Sequence, residues 1–275
     1  MNAGRTDLAA LAEPVHALAM RAAGEILRIY ATDFAIHLKA DRTPVTAADL
    51  AAHEVLGSGL ARLTPDIPVL SEESAHAGIA GRHDWSRLWL VDPLDGTREF
   101  VARSGEFSIN IALVENHLPV FGLILMPVSG AAYWAWRGGG AWKLVPGSTP
   151  VPIRCRALGS GPVRVAGSRR HTGHLLQTYL GYLGDHVYRG IGSALKACLI
   201  AEGEADVYPR FGPTCEWDTA ASQILLEEAG GGLTDGFRRP LRYNARSTLI
   251  NPDFLAFGDP GHDWTRYLPR RKPAP

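Results

Sequence analysis

The sequence predicts a protein of the α+β class, and three observations support this. The N-terminal half begins with an amphipathic helical pattern and continues as short apolar runs that are typical of strands. The C-terminal half alternates strand-like with helix-like segments. With 275 residues, of which 46% are hydrophobic, the chain is long enough to form two lobes around a substantial core.

The composition excludes several functional classes. Lys plus Arg number 28 and Asp plus Glu number 28, so no net charge attracts a nucleic acid polymer or an anionic lipid surface. The three cysteines, at 155, 198 and 215, fit neither a disulfide framework nor a thiolate zinc site. We expect reduced thiols in a cytoplasmic protein, with no secretion signal and no membrane-spanning helix.

Two helices are predicted before residue 64. The first spans Leu8 to Ile29, because its apolar residues recur at steps of three and four. The second begins at Thr46, where Thr46 and Asp49 have the spacing of a capping box. Asp49 therefore has a structural interpretation that stays open beside any functional one.

Short apolar runs follow, and they predict a sheet. They are Val69-Leu70, Leu88 to Val91, Ser108 to Val114, Val120 to Leu125 and Ala131 to Trp136. The second run is apolar throughout, which predicts burial on both faces. The segment Pro146 to Pro150 is the best candidate for a linker, so we place an N-terminal lobe at residues 1–150 and a C-terminal lobe at 151–275.

The C-terminal lobe is predicted to alternate strands and helices. The strands are Val163 to Ala166 and Ala205 to Tyr208, and the helices are Gly173 to Leu183, Ala194 to Glu202 and Thr219 to Ala229. Asp218 stands where an N-cap of the last helix is expected, so a structural role is open for it as well.

Several common catalytic motifs are missing from the sequence. There is no Gly-Lys pair of a phosphate-binding P-loop and no G-x-S-x-G elbow, and His53-Glu54 lacks the second histidine of a zinc protease. The run Gly138-Gly139-Gly140 lacks the dinucleotide-binding spacing. Acidic residues at the ends of apolar strands remain as candidates, since open sheets bind ligands there.

The densest group is Asp92-Pro93-Leu94-Asp95-Gly96-Thr97, which follows a buried strand. Pro93 bends the chain, so Asp95 can turn toward the same point as Asp92. The Leu94 carbonyl lies between them as a further hard ligand, and the amides of Gly96 and Thr97 could hold a phosphate. An all-oxygen donor set of this kind favours Mg²⁺ over zinc.

Two further acidic segments strengthen this interpretation. They are Ser71-Glu72-Glu73-Ser74, after the Val69-Leu70 strand, and Glu216-Trp217-Asp218-Thr219, at a helix start. Taken singly, Glu72 and Asp218 fit ordinary helix-start positions. Taken with Asp92 and Asp95, they predict a metal site.

Four blocks then resemble the lithium-sensitive, magnesium-dependent inositol monophosphatase superfamily. They are residues 41–49 (DRTPVTAAD), 71–73 (SEE), 92–97 (DPLDGT) and 217–221 (WDTAA), in the expected order along the chain. The resemblance implies the sugar-phosphatase fold, a five-layer αβαβα sandwich with the site between two lobes. The element patterns by themselves do not give this layer order.

Within that superfamily the sequence most resembles the CysQ-type 3'(2'),5'-bisphosphate nucleotidases. The blocks that indicate this branch are residues 105–113 (GEFSINIAL), 192–196 (GSALK) and 208–214 (YPRFGPT). The resemblance implies hydrolysis of the 3'-phosphate of adenosine 3',5'-bisphosphate to AMP and phosphate, in a housekeeping role beside sulfate assimilation. It does not rank this substrate against phosphoadenylyl sulfate.

The resemblance also assigns residues. Two or three Mg²⁺ ions would be held by Glu72, Asp92, the Leu94 carbonyl, Asp95 and Asp218. The attacking water would be positioned by Asp49 and Thr97 and activated with Glu72. The substrate would contact Leu94, Asp95, Gly96, Thr97, Asp218 and, on the nucleotide side, Ser168, His171, Ser193, Lys196 and Arg210. The loop at 167–171 departs from the family spelling because arginines occupy its centre.

Alternatives stay open at this point. An inositol or sugar monophosphatase would share the metal residues, and a catalytically silent regulator would have lost one of them. Lys196 could be a solvated helix residue, Arg210 a surface partner of Glu216, and His171 a plain loop residue. We expect a monomer or homodimer, with at most weak peripheral membrane contact through the basic end at 270–272.

Overall fold

The computed structural model describes residues 7–38, 44–74, 81–169 and 173–269. The helices in these ranges are α1 (Ala12–Tyr30), α2 (Ala47–Leu63), α3 (Thr97–Val101), α4 (His174–Leu183), α5 (Leu195–Ala201) and α6 (Glu216–Glu228). The strands of the first half are β1 (Ile36–Leu38), β2 (Pro44–Thr46), β3 (Val69–Ser71), β4 (Arg87–Asp95), β5 (Ser108–Glu115), β6 (Leu118–Leu125), β7 (Ala132–Trp136), β8 (Ala141–Leu144) and β9 (Val151–Ile153). Those of the second half are β10 (Val163–Gly167), β11 (His186–Gly190), β12 (Val207–Arg210), β13 (Gly232–Asp235) and β14 (Phe254–Phe257).

The strands form two large sheets and one small one. The first sheet has seven strands in the order β3-β4-β5-β6-β7-β8-β9, and only β3 and β4 run parallel in it. The second has five strands in the order β11-β10-β12-β14-β13 and mixes parallel with antiparallel pairs. Strands β1 and β2 pair with each other. Strand β9 carries the first sheet to Ile153, so that sheet extends three residues beyond position 150.

Side-chain alternation along the strands assigns the two faces of the first sheet. On β5, Ile109 and Ile111 point into a core shared with α1 and α2, whereas Ala112 and Val114 point into a second core that α6 shares. Successive side chains of a strand face opposite ways, so an apolar strand of this kind must be covered on both sides. The prediction that Leu88 to Val91 is buried on both faces is confirmed, since that segment of β4 is fully buried.

Helix α6 lies between the two large sheets and touches the first one closely at Gly122. A β-carbon added to Gly122 would stand 2.6 Å from Ile224 Cγ2 and 2.9 Å from the Ala221 backbone. Only glycine leaves room for this approach of a helix to a strand. The opposite side of α6 shares its core with Leu233 and Phe254 of the second sheet.

Helix α4 covers the outer face of the second sheet. Its Leu176, Tyr179 and Leu180 pack with Val165, Leu255 and Trp264 in a separate apolar cluster. The order of layers is therefore α1 and α2, the seven-stranded sheet, α5 and α6, the five-stranded sheet, and α4. The predicted α+β class and its layered sandwich are confirmed.

Several element predictions need correction. Helix α6 begins at Glu216 rather than Thr219, and its N-cap is Cys215, so the prediction of an N-cap at Asp218 is wrong. Strand β12 runs from Val207 to Arg210, two residues later than predicted. The first helical segment opens with a short 3-10 turn at Ala9–Leu11 before α1. In the described ranges, no helix has the length and apolar character needed to cross a bilayer.

Candidate active site

The parallel strands β3 and β4 deliver the first acidic residues to one edge of the sheet. Glu72 follows the last residue of β3, and its backbone N–H donates to the Val91 carbonyl of β4 at 3.0 Å. Asp92 comes directly after Val91 and is buried. The pairing of the two strands therefore fixes where Glu72 and Asp92 stand relative to each other.

A bulge in β4 separates Asp92 from Asp95. Asp92 pairs with Asn110 of β5 and Asp95 pairs with Ser108, so two residues of β4 stand opposite one residue of β5. Pro93 lies in this bulge and has no N–H to donate, which suits an interrupted ladder. The Leu94 N–H turns back and donates to Asp92 Oδ1 at 3.0 Å.

The chain turns sharply at Gly96 and starts α3 at Thr97. Gly96 has φ +94°, a left-handed conformation that suits glycine, and its carbonyl accepts from Phe100 N at 2.9 Å. A β-carbon at this position would lie 3.4 Å from that of Ser193, so the turn is close to the C-terminal half of the chain.

Asp49 lies at the start of α2, where it takes part in two sets of hydrogen bonds. Its Oδ2 accepts from Thr46 N at 2.8 Å and from Thr46 Oγ1 at 2.7 Å, which completes the predicted capping box. Its Oδ1 accepts from Thr97 Oγ1 at 3.3 Å. The structural interpretation of Asp49 is therefore confirmed, and the same carboxylate also reaches Thr97, as the resemblance implies.

Asp218 reaches the cleft from the first turn of α6. Its Oδ2 accepts from Cys215 N at 2.8 Å, so the backbone of its own helix start holds the side chain in place. Glu216, in the same turn, is fully buried and pairs with Arg246. The expected alternative of a Glu216–Arg210 surface pair is wrong, because Arg210 donates to the Pro213 carbonyl instead.

The electrostatics of the cleft show that its carboxylates act on one another. Burial raises the pKa of Asp92 well above its usual range, and the charges of Glu72, Asp95 and Asp218 raise it further. Burial and the charge of Asp95 raise the pKa of Asp218 to about 8. The pKa of Asp49 is also raised, first by burial, although the bonds from Thr46 oppose this shift.

This donor set fits a hard divalent cation. Like charges held this close are costly unless a cation or proton lies among them, and carboxylates with a backbone carbonyl are the ligands Mg²⁺ prefers. In the part of the chain described, no three acidic, histidine or cysteine side chains form a closed ligand group. Three of the carboxylates accept hydrogen bonds from neighbouring groups: Asp92 from Leu94 N, Asp95 from Asn110 Nδ2 and Asp218 from Cys215 N.

A cavity opens beside these carboxylates and is lined by cationic and polar groups of the C-terminal half. Its lining includes Asp95, Gly96 and Asp218 together with Ser168, Ser193, Lys196, Tyr208 and Arg210. Lys196 is 8% exposed, and its ammonium donates to the Ser193 carbonyl at 2.5 Å. Burial lowers its pKa to about 8; the charge of Asp95 opposes this shift and that of Arg210 adds to it.

Seven of the residues predicted for the site line this cavity: Asp95, Gly96, Ser168, Ser193, Lys196, Arg210 and Asp218. Asp49, Glu72, Asp92, Leu94 and Thr97 are not among its lining residues, and one predicted residue cannot be placed. His171 lies outside the described residues, as does the basic end at 270–272. The alternative of a solvated Lys196 is wrong, since that side chain is buried.

Three residues without a predicted role also lie at the site: Asn110 and Ser108 lie within 3.5 Å of Asp95, and Glu106 accepts from Gly192. Ser108 and Asn110 are polar side chains pointing inward from an otherwise apolar strand, and that pattern was the available signal.

Comparison with known proteins defines the class to which this fold and cleft belong. Residues 7–260 match the model of the inositol monophosphatase family. The chain belongs to that family.

Within the family, its relatives include the 3'(2'),5'-bisphosphate nucleotidases CysQ. That of Salmonella typhimurium is 47% identical over 244 residues, which is 88% of this chain and 97% of the relative. That of Escherichia coli O157:H7 is 46% identical over 86% of this chain and 95% of the relative.

Solved structures agree with this placement. The crystal structure of CysQ from Bacteroides thetaiotaomicron is 38% identical with a TM-score of 0.77, and the match covers 90% of this chain and 97% of that one. An inositol monophosphatase from Anabaena is 28% identical with a TM-score of 0.75, and the match covers 96% and 98%.

Proposed function

We propose that this protein is a magnesium-dependent phosphatase that removes the 3'-phosphate of adenosine 3',5'-bisphosphate and yields AMP and phosphate. Its similarity to CysQ nucleotidases supports this proposal, because those relatives are named for bisphosphate hydrolysis. Phosphoadenylyl sulfate carries the same 3'-phosphate, and we include it as a second substrate of the same chemistry.

One structural observation carries the choice of a bisphosphate. Lys196 and Arg210 line the same cavity as Asp95 and Asp218. A substrate with one phosphate needs only the carboxylates of the site, whose bound cations would neutralise its charge. A second phosphate needs its own cationic partners, which Lys196 and Arg210 supply.

The proposed cation ligands are Glu72, Asp92, the Leu94 carbonyl, Asp95 and Asp218. When bound, Mg²⁺ supplies charge stabilisation for the reacting phosphate and lowers the pKa of water. The number of ions, two or three, is part of this proposal.

The chain's own groups would orient the nucleophile and the substrate. Thr97 donates to Asp49, so the Thr97 oxygen keeps lone pairs free to accept a hydrogen bond from the attacking water. Asp49 fixes the direction of that hydroxyl because its other oxygen is held by Thr46. Glu72 stands at the end of β3 as the carboxylate that accepts the proton from this water.

We also propose that the enzyme works in the cytoplasm, as a monomer or homodimer. The cysteines at 155, 198 and 215 are all free, which suits a reducing compartment.

Phosphate release from three substrates tests the proposal. Adenosine 3',5'-bisphosphate, inositol 1-phosphate and fructose 1,6-bisphosphate are compared at equal concentration, with Mg²⁺ and with EDTA. We expect the nucleotide to be preferred by at least about tenfold in kcat/KM, and EDTA to abolish release. Preference for inositol or sugar phosphate would replace the nucleotidase by a monophosphatase, and Mg²⁺-independent release would refute the metal chemistry.

A further inference from the structure

The segment that distinguishes the nucleotidase branch in this sequence, residues 105–113, contains two buried polar side chains for which the proposed chemistry has no use. Ser108 is 0% exposed and Asn110 is 1% exposed, and both lie on β5 among apolar neighbours. Burying a hydroxyl and an amide in an apolar sheet is costly unless both are hydrogen-bonded. Their partners therefore indicate what they do.

On one side, Asn110 bonds to the carboxylate of Asp95, and Ser108 donates its proton to Asn110. Asn110 Nδ2 donates to Asp95 Oδ2 at 3.3 Å, and Ser108 Oγ lies 3.5 Å from the same oxygen. Ser108 Oγ also lies 2.9 Å from Asn110 Oδ1. The pair thus holds the side chain of a residue proposed to bind the cations.

On the other side, Ser108 meets the C-terminal half of the chain. Its hydroxyl is 2.5 Å from the hydroxyl of Ser193, 85 positions further along. A hydroxyl donates one proton and accepts on its lone pairs, so Ser108 can bond to both halves at once. Ser108 therefore links the loop before α5, through Asn110, to Asp95.

The loop around Ser193 is strained and needs such a link. Ser193 has φ +52°, which is uncommon for a residue other than glycine. Its carbonyl accepts from Lys196 at 2.5 Å. Gly192 donates to Glu106 Oε2 at 3.0 Å, and a β-carbon there would stand 2.7 Å from the Glu106 carbonyl. The loop is therefore pressed onto the N-terminal half, with Lys196 attached to it.

We propose that Ser108 is a positioning residue for recognition of the second phosphate: with Asn110 it holds Asp95, and through Ser193 it holds the loop that places Lys196. This inference rests on the proposed function, because it concerns how the bisphosphate is distinguished from a monophosphate. It also gives the Ser193 hydroxyl a different task from touching the nucleotide. The Ser193 hydroxyl bonds to Ser108, and the loop that contains Ser193 positions Lys196 for the second phosphate.

A double-mutant cycle distinguishes the two tasks of Ser193. The variants are Ser108→Ala, Ser193→Ala and the double variant, assayed with Mg²⁺ on adenosine 3',5'-bisphosphate and on adenosine 3'-monophosphate. We expect each single variant to raise KM for the bisphosphate by about five- to tenfold and KM for the monophosphate by less than about threefold, while any loss of kcat from a loosened Asp95 in Ser108→Ala is the same for both substrates. The double variant should be no worse than the poorer single one, because all three lack the same bond.

Matched controls accompany the cycle. Ser108→Thr keeps the hydroxyl and should restore the bisphosphate KM to within about threefold of the wild type. Ser148→Ala removes a hydroxyl that donates to the Val145 carbonyl in an exposed turn. This variant should leave KM for both substrates unchanged. Additive effects on the bisphosphate KM in the double variant, or equal rises in KM for both substrates, would overturn the positioning role.

Hydrogen exchange of the metal-free protein gives a readout that does not depend on activity. In EDTA, Ser108→Ala and Ser193→Ala should each speed amide exchange in residues 191–197, while α1 and α2 exchange as in the wild type. Unchanged exchange in that loop would overturn the proposal. If the wild type shows no preference for the bisphosphate, the proposed function fails, while the exchange data still decide whether Ser108 positions the loop.

Discussion

The ammonium of Lys196 lies 5.1 Å above the centre of the Tyr208 ring. Both residues are buried, and Tyr208 belongs to β12, the strand that ends at Arg210. A cation over an aromatic face is stabilised even where water is scarce, so the ring helps keep a buried lysine charged. The contact holds the ammonium at the cavity that Arg210 also lines.

Removing Lys196 should therefore affect the second phosphate most. In Lys196→Ala we expect KM for adenosine 3',5'-bisphosphate to rise by at least about tenfold, with less than about a threefold change for adenosine 3'-monophosphate. Steady-state kinetics on both substrates measure this. Lys143→Ala is the matched control, because that lysine pairs with Glu202 away from the cavity. Equal losses on both substrates would remove Lys196 from phosphate recognition.

The same lysine predicts a pH dependence. Burial lowers the pKa of Lys196 to about 8, so its positive charge is present below that pH and is lost as the pH rises through it. The 5'-phosphate is already dianionic there, since its second pKa is about 6. The ratio of kcat/KM for the bisphosphate to that for adenosine 3'-monophosphate should fall between about pH 7 and pH 9.5, because kcat/KM reports the free enzyme. A ratio that stays flat across this range would contradict the assignment.

Charge removal at Asp95 should stop the chemistry without unfolding the protein. Asp95→Asn is expected to lower kcat by about a thousandfold, because a cation ligand loses its charge. In EDTA its melting temperature should equal or exceed that of the wild type, since Asp95 raises the pKa of both Asp92 and Asp218 by like-charge repulsion. Asp66→Asn, in an exposed turn, is the control. Wild-type turnover in Asp95→Asn would refute the metal assignment.

A pair of glycines tests the packing of α6 on the first sheet. Gly122→Ala should destabilise the protein by about 1–3 kcal/mol, because the new methyl group meets Ile224 and the Ala221 backbone. Gly57→Ala, inside α2 with nothing within 4 Å of the new methyl group, should instead stabilise it by up to about 1 kcal/mol. Chemical denaturation of both variants measures the difference. A neutral Gly122→Ala would mean that the helix does not approach the strand this closely.

Local sequence patterns predict the elements that are stabilised by contacts between residues close together in the chain. The capping box at Thr46 and Asp49 marks the start of α2, and the structure shows both of its bonds. Helix α6 was predicted three residues late because its N-cap is Cys215, which is not one of the usual capping residues. Strand β11 was missed because, at the sheet edge, its side chains alternate between half-buried and exposed without an apolar face.

In the site, too, some features follow from the local sequence and others depend on packing between distant segments. The order of Asp92 and Asp95 along the chain indicated that they face one cleft, but the bulge that separates them depends on pairing with β5. Ser108 and Ser193 meet only because the two halves of the chain fold against each other, and no spacing rule connects positions 85 residues apart. Contacts of this kind depend on packing, which a single sequence does not encode in any local pattern.

Recognition of a second phosphate by the cavity can be tested with two substrates. Adenosine 3',5'-bisphosphate and adenosine 3'-monophosphate share the scissile phosphate and differ only at the 5' position, so the wild-type kcat/KM ratio with Mg²⁺ isolates that recognition. We expect a preference for the bisphosphate of at least about tenfold, which corresponds to about 1.4 kcal/mol. Equal values for the two substrates would contradict it, since Lys196 and Arg210 would then contribute nothing to substrate choice.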